Sequence, residues 1–466
     1  MPSTITLLLS GPGTQNSRSL FFVNPSEFSC KLVYSSGGQN KTIYYFSALP
    51  THCLALAPRV PLESFSMQAI QADVQVNFHY DVHFTTHLFD PENPLLSDVT
   101  TARAERLPAR ILFVVEEEVE RLLNVRAAIE AYCAKHSDTL TLVCPPVLLP
   151  GGEQVKNDPR HVVTVQEAVN ETGLDRHSYL AVVGGGALLD TVGYAAATAH
   201  RGIRLLRIPT TTLAQNDSGV GVKNAINFFG KKNWVGTFAT AWAVLNDFHF
   251  LTTQPDRVWR EGIAEAVKVA LIKDGDFFNF LEDHTDALAS RDMVPMQELV
   301  YRCAALHVQH ICTGGDAFEM GSSRPLDFGH WSAHKLEQTT NYRLHHGEAV
   351  AIGLALDVTY SHLKGWLTEN DWRRVLRVLS GLGFALYVPE MRSTDELFHG
   401  LREFREHLGG ELTIQMLQSL GVGFNVHEID ESLMAEAILL LEHESHRFDD
   451  IGQAMPVGSH REIVAR

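Results

Sequence analysis

Hydrophobic and polar positions predict strands that alternate with helices in the first part of the chain. Short apolar runs of strand length lie at 109–115, 139–150, 178–183 and 202–209, each bounded by turn residues. Between them, segments such as VRAAIEAYCAKH (125–136) place apolar residues at helical spacing. This alternation is typical of an α/β domain with a parallel sheet.

The pattern changes near residue 256. Later segments such as WREGIAEAVKVALI, MQELVYRCAALHVQHI and WRRVLRVLSGLG have the spacing of amphipathic or buried helices. At the other end, the alternating segment VQVNFHYDVHF (74–84) predicts a strand that opens the α/β region. We therefore expect a Rossmann-like, parallel-sheet α/β domain at 67–256 and an all-helical domain at 257–466.

The first 66 residues differ from the rest of the chain. Before Glu63 they contain one acidic residue, Glu27, together with many serines and threonines. We interpret residues 1–66 as an N-terminal extension that is poorly ordered. Two alternatives remain open: a transit peptide, although the segment lacks Arg-rich amphipathicity, or an added strand or two.

Composition narrows the function classes. A chain of 466 residues is too long for one hydrophobic core, which agrees with two domains. The formal charge of -17 argues against nucleic-acid or anionic-membrane binding, since both need a basic surface. The six cysteines form no CxxC pair, which favours a reducing compartment such as the cytoplasm. No apolar run approaches the roughly 20 residues that span a bilayer.

Glycines and carboxylates at predicted strand ends indicate a dinucleotide site. Gly184, Gly185 and Gly186 follow a strand and precede a helix, where backbone N–H groups can approach a phosphate. Tight turns between strands and helices also favour glycine, so this signal alone is weak. Glu116 closes an earlier strand, where a carboxylate can hold a ribose hydroxyl, and a second loop (151–156) carries Glu153 and Lys156.

Histidines in the helical region indicate a metal site. His330 and His334 are four residues apart and share one helix face. The segment 345–348, His-His-Gly-Glu, opens the next helix, and Glu265 precedes Lys268 by three residues on an earlier helix. One Glu and two His make a three-ligand site that leaves one metal position open for substrate or water.

A cationic cluster lies between these two groups. The stretch KNAINFFGKKN (223–233) carries Lys223, Lys231 and Lys232 close to glycine. In an acidic protein this stretch is a candidate anion pocket, with a solvated basic loop as the alternative.

Taken together in order and spacing, these motifs resemble the 3-dehydroquinate synthases and the wider sugar phosphate cyclase family. The resemblance runs from residue 109 to about 425 and covers both domains. It is carried by GGGALLDTVGYAAATAHRG, PTTTLAQNDSGVGVKNAINFFGKKN, EGIAEAVKVALIKD, LDFGHWSAH and HHGEAVAIGLA.

The resemblance implies NAD and one divalent metal, zinc by preference, with cobalt or iron as alternatives. The implied metal ligands are Glu265, His330 and His346. The implied catalytic residues are His334, which would handle a proton, Lys223, Asp217 and Lys268. The implied substrate-binding residues are Arg201, Lys232, Asn233, Arg324 and Asp327. The implied NAD-site residues are Glu116, Glu153, Lys156, Gly184, Gly185, Gly186, Asp190, Thr210, Thr211 and Thr253.

The family resemblance also implies a reaction and an assembly. The reaction is a redox-neutral cycle in which a sugar phosphate is oxidised, loses inorganic phosphate, is reduced again and closes to a carbocycle. Arg201 matches an arginine that reaches the phosphate of a neighbouring subunit, which implies a homodimer. Glu116 stands where the family often has Asp, and the longer carboxylate can serve the same hydroxyl pair.

Several positions depart from the dehydroquinate synthase pattern where that enzyme binds a substrate carboxylate. A family Lys is Gln309, a family Arg is Ser323 next to Arg324, and a family Asn is Asp327. The family's Asp-Lys-Lys loop reads Phe-Arg-Glu at 404–406, which leaves one cation there, Arg405. Each lost charge-assisted bond is worth about 1.5–3 kcal/mol. We therefore expect an uncarboxylated ketose phosphate, as in the heptulose 7-phosphate cyclases that make valiolone-type or gadusol-type cyclitols.

Three alternatives to this function stay open. The first is 3-dehydroquinate synthase proper, acting on the carboxylated heptulosonate phosphate. The second is a metal- and NAD-dependent polyol dehydrogenase, which would not need Lys223, Lys232 and Arg201 as a phosphate clamp. The third is a non-catalytic metal- or nucleotide-binding module, which the retained site residues disfavour.

Overall fold

The structure is a computed structural model. It describes residue 69, residues 71–314, 316–318, 325–407 and 412–454, and the backbone of four strands between residues 5 and 47. The chain divides into two compact units, Met1–Val76 and Asn77–Arg466.

Four antiparallel strands occupy part of the N-terminal segment. They pair in the order β1-β2-β3-β4. Their bounds are β1 (Ile5–Leu9), β2 (Ser17–Asn24), β3 (Ser29–Ser36) and β4 (Thr42–Ser47). The other residues of 1–66 lie outside the described residues, and the order of the extension as a whole stays a prediction.

A parallel sheet forms the centre of the second unit. Its order is β5-β13-β10-β9-β6-β7, with β8 pairing β6 further along. Its strands are β5 (Asp81–Thr85), β6 (Ala109–Glu116), β7 (Leu140–Leu142), β8 (Val147–Leu149), β9 (Tyr179–Gly184), β10 (Arg204–Pro209) and β13 (Ala243–Asp247). All of these strand pairs are parallel, which confirms the predicted α/β class.

Helices cover both faces of the sheet, which is why its strands read as continuous apolar runs. All six residues of β9 are buried. Apolar residues of α1 and α3 pack on one face, and those of α4 and α5 pack on the other. The helices are α1 (Leu95–Thr101), α2 (Glu117–Leu123), α3 (Val125–Lys135), α4 (Arg160–Thr172) and α5 (Gly186–Thr198).

The strand order reverses between β6 and β9. The chain leaves β6 toward β7 and β8, then crosses to β9 on the other side. Ligands of such sheets bind at the carboxyl ends of the strands beside this reversal. Glu116, at the end of β6, and Gly184, at the end of β9, flank that point.

One local prediction in the α/β region needs correction. The strand expected at 74–84 begins at Asp81 and is confined to Asp81–Thr85, because its pairing to β13 starts there. Helix α2 follows β6 directly, and its first turn carries acidic residues that favour a helix N-terminus.

The rest of the chain is helical, as predicted, with one exception. The helices are α6 (Asp256–Lys273), α7 (Gly275–Asp283), α8 (Thr285–Ala289), α9 (Met293–Thr313), α10 (His330–Thr339), α11 (His346–Leu363), α12 (Glu369–Gly381), α13 (Thr394–His407) and α14 (Glu431–Ala454). An antiparallel hairpin of β14 (Ile414–Ser419) and β15 (Val422–Val426) shows that "all-helical" was wrong. The boundary expected at 256 stays a prediction.

Helices α10 and α11 approach each other unusually closely. A Cβ atom at Gly353 of α11 would lie 2.0 Å from the carbonyl oxygen of Gly329. Gly329 itself has φ 76°, a conformation that favours glycine, and directly precedes His330. The two glycines therefore let the start of α10 rest on α11. Within the described residues, no helix is long and apolar enough to cross a membrane.

Candidate active site

Three helices bring one carboxylate and two imidazoles together. Nε2 of His330, at the start of α10, lies 3.5 Å from Oε1 of Glu265 on α6. Nε2 of His346, at the start of α11, lies 3.4 Å from the same oxygen. Potential ligand atoms of these three residues all lie within 4.8 Å of one another. The three implied metal ligands are thus adjacent in space.

Hydrogen bonds orient both imidazoles toward Glu265. Nδ1 of His330 donates to the carbonyl oxygen of Phe328 at 3.0 Å, and Nδ1 of His346 donates to Oε2 of Glu337 at 3.2 Å. With Nδ1 donating, each ring directs Nε2 toward Glu265, and the neutral form of each ring presents its lone pair there as a metal ligand. Oε1 of Glu265 is fully buried and has no hydrogen-bond partner among the described residues. This N₂O set with an unsatisfied carboxylate fits a divalent cation.

His334 lies beside this triad, one turn further along α10. Its ring centroid is 5.5 Å from that of His330 and 5.9 Å from that of His346. The side chain is exposed, whereas His330 is buried. His334 can therefore exchange protons with a bound molecule without being a ligand in the triad.

Lys268 connects the triad to Asp217. Nζ of Lys268 pairs with Oε2 of Glu265 on its own helix and lies 4.0 Å from Oδ2 of Asp217. Burial alone would lower the pKa of Lys268, but the carboxylates of Glu265 and Asp217 outweigh it and raise that pKa. Lys268 is therefore a fixed cation next to the metal site.

Asp217 is carried by a π-helical turn, Ala214–Ser218, after β10. Such turns are often found at functional sites. Burial alone would raise the pKa of Asp217, but His307 and Lys268 lower it to about 2. The side chain of Asp217 is 29% exposed, so its ionised carboxylate is accessible to a bound molecule.

Glu337 is a site residue that the sequence analysis missed. It is buried on α10, and its Oε1 lies 3.2 Å from Nζ of Lys232 on the hairpin strand β12 (Lys231–Phe238). Its other oxygen accepts the Nδ1 proton of His346. Although burial alone would raise the pKa of Glu337, His346 and Lys232 hold it well below the usual range. Its signal was present, because Glu337 follows His330 by seven residues and shares the face of His330 and His334.

We expect Glu337→Gln to weaken metal binding about 10–100-fold, as is typical when an outer partner of a metal-bound histidine is changed. The amide still accepts from His346 but no longer carries the charge that balances Lys232. The affinity for zinc should be measured by competition with a coloured chelator. Glu403→Gln is the matched control, because Glu403 pairs with Lys335 in a more exposed position. Equal zinc affinities for both variants would contradict this role.

The predicted dinucleotide site has the form of a cradle at the strand reversal. Oε2 of Glu116 accepts the backbone N–H of Gly185 at 2.7 Å, just before the N-terminus of α5. A Cβ at Gly151 would lie 1.9 Å from Oε1 of Glu116, and one at Gly184 would lie 2.9 Å from Oε2. Burial raises the pKa of Glu116. The glycines therefore leave room for the Glu116 carboxylate beside the backbone N–H groups that open α5, an arrangement that fits a dinucleotide with its ribose on the carboxylate and its phosphate at the helix N-terminus.

Further predicted NAD-site residues lie around this cradle. Nζ of Lys156 is 2.7 Å from Oδ2 of Asp190 and also bonds Asn233. Oε1 of Glu153 accepts from Asn227 at 3.0 Å. The remaining members follow the carboxyl ends of their strands and are Gly186, Thr210, Thr211 and Thr253. The structure thus places the predicted NAD-site residues at one edge of the sheet.

Arg207 is a second residue that the sequence analysis missed. This fully buried side chain on β10 donates to the carbonyl oxygens of Ser218, Gly219, Gly221 and Lys223, at distances of 2.8–3.3 Å. It also donates to Oδ1 of Asn224 at 2.6 Å. One guanidinium therefore shapes the loop that joins Asp217 to Lys223. The sequence feature that could have revealed Arg207 is the presence of an arginine inside an apolar strand.

Four predicted site residues remain: Asp327, Arg201, Arg324 and Lys223. Asp327 ends a short 3-10 turn before α10, and its charge contributes to the raised pKa of Lys268. Arg201 is exposed, beyond the end of α5 and three residues before β10, so it lies at the edge of the sheet opposite the glycine cradle. Arg324 lies outside the described residues. Lys223 is exposed at the start of β11 (Lys223–Phe228).

The fold and this site define a class of enzyme that uses a dinucleotide and a metal ion. A parallel α/β domain carries a dinucleotide cradle, and the adjoining helical domain carries a three-ligand metal site. A sequence profile of the 3-dehydroquinate synthase N-terminal region matches residues 146–261, and one of the C-terminal region matches residues 262–403. Together they span more than half of the chain, which therefore belongs to the 3-dehydroquinate synthase family.

Individual relatives agree with the family. A 2-epi-5-epi-valiolone synthase from Streptomyces glaucescens is 33% identical over 355 residues, covering 76% of this chain and 88% of the relative. A 3-dehydroquinate synthase from Acinetobacter baumannii (strain SDF) is 35% identical over 297 residues, covering 64% of this chain and 81% of the relative. The predicted family is confirmed, and the chain is an enzyme of the lyase type.

A solved structure supports the fold assignment. ValA, a 2-epi-5-epi-valiolone synthase from Streptomyces hygroscopicus subsp. jinggangensis 5008 with NAD+ and Zn2+ bound, superposes with a TM-score of 0.73. It is 29% identical, and the match covers 80% of this chain and all of ValA. The fold class predicted from the sequence is therefore confirmed.

Proposed function

We propose that this enzyme cyclises a seven-carbon ketose phosphate of the sedoheptulose 7-phosphate type, with NAD and a divalent metal, and eliminates inorganic phosphate. The cofactors are supported by the glycine cradle around Glu116 and by the triad of Glu265, His330 and His346. They are also supported by ValA, whose structure contains NAD+ and Zn2+.

The observation that carries the substrate proposal is the acidic surrounding of Lys268. This buried cation is shared by Glu265 and Asp217, and the charge of Asp327 also acts on it. Asp327 stands where the dehydroquinate synthase pattern has Asn. A further carboxylate brought here by a heptulosonate would be repelled by these like charges, whereas a hydroxyl group would find acceptors.

The relatives include both kinds of enzyme at similar identity, so the substrate proposal rests on the residues of this chain. Gln309, which replaces a family lysine, is exposed on α9, and Phe404 of the 404–406 segment is half-buried against the helical core. Neither Gln309 nor Phe404 supplies a cation for a substrate carboxylate, and Arg405 is the one cation that the 404–406 segment keeps.

Each group of residues has a defined task in this proposal. When bound, the metal polarises a substrate hydroxyl, and NAD accepts and returns a hydride at that carbon. His334 moves a proton at the exposed side of the triad, and Lys268 stabilises negative charge that develops next to it. Lys223 and Lys232 bind the phosphate end, and Asp217 accepts from a substrate hydroxyl.

Phosphate release decides between the candidate substrates. The zinc- or cobalt-loaded protein is incubated with NAD and either sedoheptulose 7-phosphate or the carboxylated heptulosonate phosphate, and inorganic phosphate is measured. We expect kcat/KM to favour sedoheptulose 7-phosphate by about 100-fold, since two lost charge-assisted bonds exceed the about 2.7 kcal/mol that this ratio requires. Asp327→Asn should reduce the preference about tenfold by removing one repelling charge.

Other outcomes would contradict the proposal in distinct ways. A preference for the carboxylated substrate would identify a 3-dehydroquinate synthase. Steady NADH formation with a polyol, without phosphate release, would identify a dehydrogenase. The homodimer implied by Arg201 and the cytoplasmic location stay predictions.

A further inference from the structure

His307 on α9 forms a buried contact with Asp217 that the family resemblance does not assign. The histidine is 3% exposed, and its Nε2 lies 3.0 Å from Oδ1 of Asp217. Its other ring nitrogen, Nδ1, lies 3.0 Å from the carbonyl oxygen of Cys303, one helical turn earlier. Helix α9 packs against the π-helical turn that carries Asp217, so this contact joins two elements.

Both ring nitrogens of His307 face acceptors. Nδ1 donates to the carbonyl oxygen of Cys303, which can only accept a hydrogen bond, so Nδ1 carries a proton. Nε2 lies at ion-pair distance, 3.0 Å, from Oδ1 of Asp217, although it forms no hydrogen bond among the described residues. A carboxylate at this distance favours the charged imidazolium. Burial alone would lower the pKa of His307, but the charge of Asp217 raises it well above the usual range.

The pair of His307 and Asp217 lies next to Lys268 and the triad. Asp217 contacts His307 from α9 on one oxygen and faces Lys268 from α6, at 4.0 Å, with the other. The other charged groups nearby are Glu265 on α6 and Asp327 in the turn before α10. Asp217 is partly exposed while His307 is almost fully buried, so the carboxylate, and not the imidazolium, faces a bound molecule.

We infer that His307 is a positioning residue that holds Asp217 in one orientation, with one oxygen directed to a substrate hydroxyl. This inference rests on the proposed function, because it assumes that the substrate is a sugar whose hydroxyl group meets Asp217. The positive charge of His307 is neutralised by Asp217. His307 is therefore not a substitute for the family lysine that Gln309 replaces. A neutral polyol chain, and not a carboxylate, is the group that such a pair recognises.

The protonation can be tested without substrate, metal or NAD. In ¹⁵N-histidine-labelled protein at pH 7.5, the signal that disappears in His307→Gln should have the ¹⁵N shifts of an imidazolium. In Asp217→Asn the same signal should become that of a neutral ring, because the carboxylate that holds the proton is gone. A neutral ring in the unaltered protein would overturn the inference. Because no substrate is present, this result does not depend on the proposed function.

Kinetics test the positioning role. With the sugar phosphate that the enzyme turns over, KM should rise about tenfold in His307→Gln, which keeps one donor to Asp217, and about 100-fold in His307→Leu, which keeps none. The kcat should change less than about threefold, since the lost contact acts on binding. His362→Gln on α11 is the control. An unchanged KM in folded His307→Leu would overturn the inference.

Discussion

Replacing His330 by alanine is expected to abolish stoichiometric metal binding and to stop phosphate release. The remaining ligands would be Glu265 and His346, and two ligands do not hold a divalent cation in a site that needs three. The loss should exceed the about 100-fold upper range typical of outer partners such as Glu337. Metal content after dialysis, measured by mass spectrometry, and zinc affinity by chelator competition report the effect.

The control for this substitution is His362→Ala. His362 lies on α11, as His346 does, but its ring stacks on Trp372 at 4.7 Å and donates to no group of the triad. That variant should keep full metal content. A His330→Ala protein with full metal occupancy would contradict the ligand assignment, and the mutual distances in the triad would then need another explanation.

Replacing Arg207 by methionine should have the largest effect on stability. The change removes a buried guanidinium that donates to four carbonyl oxygens and to Asn224. Buried acceptors left without a donor cost about 1–3 kcal/mol each, offset in part by the desolvation of the guanidinium itself. We expect the free energy of unfolding to fall by about 3–5 kcal/mol in urea denaturation. Residual folded protein should also lose activity, because the loop from Asp217 to Lys223 is released.

Arg204→Met is the matched control on the same strand. Arg204 is partly exposed and stacks on Trp242, with its guanidinium carbon 4.3 Å from the ring centroid. Such a contact is worth about 0.5–1 kcal/mol, so this variant should lose little stability. Similar losses for the two arginines would show that the bonds of Arg207 to the loop do not account for its effect.

Local sequence patterns predicted most of the fold because they depend on neighbours along the chain. The apolar run of β9, followed by three glycines and a helix, is one such unit. The hairpin β14–β15 was missed because its residues were assigned to a region that otherwise has helical spacing. The strand predicted from residue 74 was too long, because alternation continues beyond the residues that pair with β13.

The missed site residues have a common physical cause. Arg207 is an isolated polar residue in an apolar strand, and His307 is one of several polar residues in an amphipathic helix, so the sequence gives no sign of a partner for either. Their partners, Asp217 and the carbonyl oxygens of 218–223, come from other elements. Glu337 differs, because its seven-residue spacing from His330 was visible, although its bond to Lys232 was not.

By itself the sequence determined the α/β and helical character of the two regions, the family, and the residue types of the candidate metal, phosphate and dinucleotide sites. These follow from spacing along one helix or one strand, which is set by local backbone geometry. Only the tertiary structure decided which atoms meet. The approach of Gly353 to Gly329 brings His330 to His346, and the packing of α9 on the π-helical turn brings His307 to Asp217. Such contacts depend on the packing of distant segments, which no local pattern encodes.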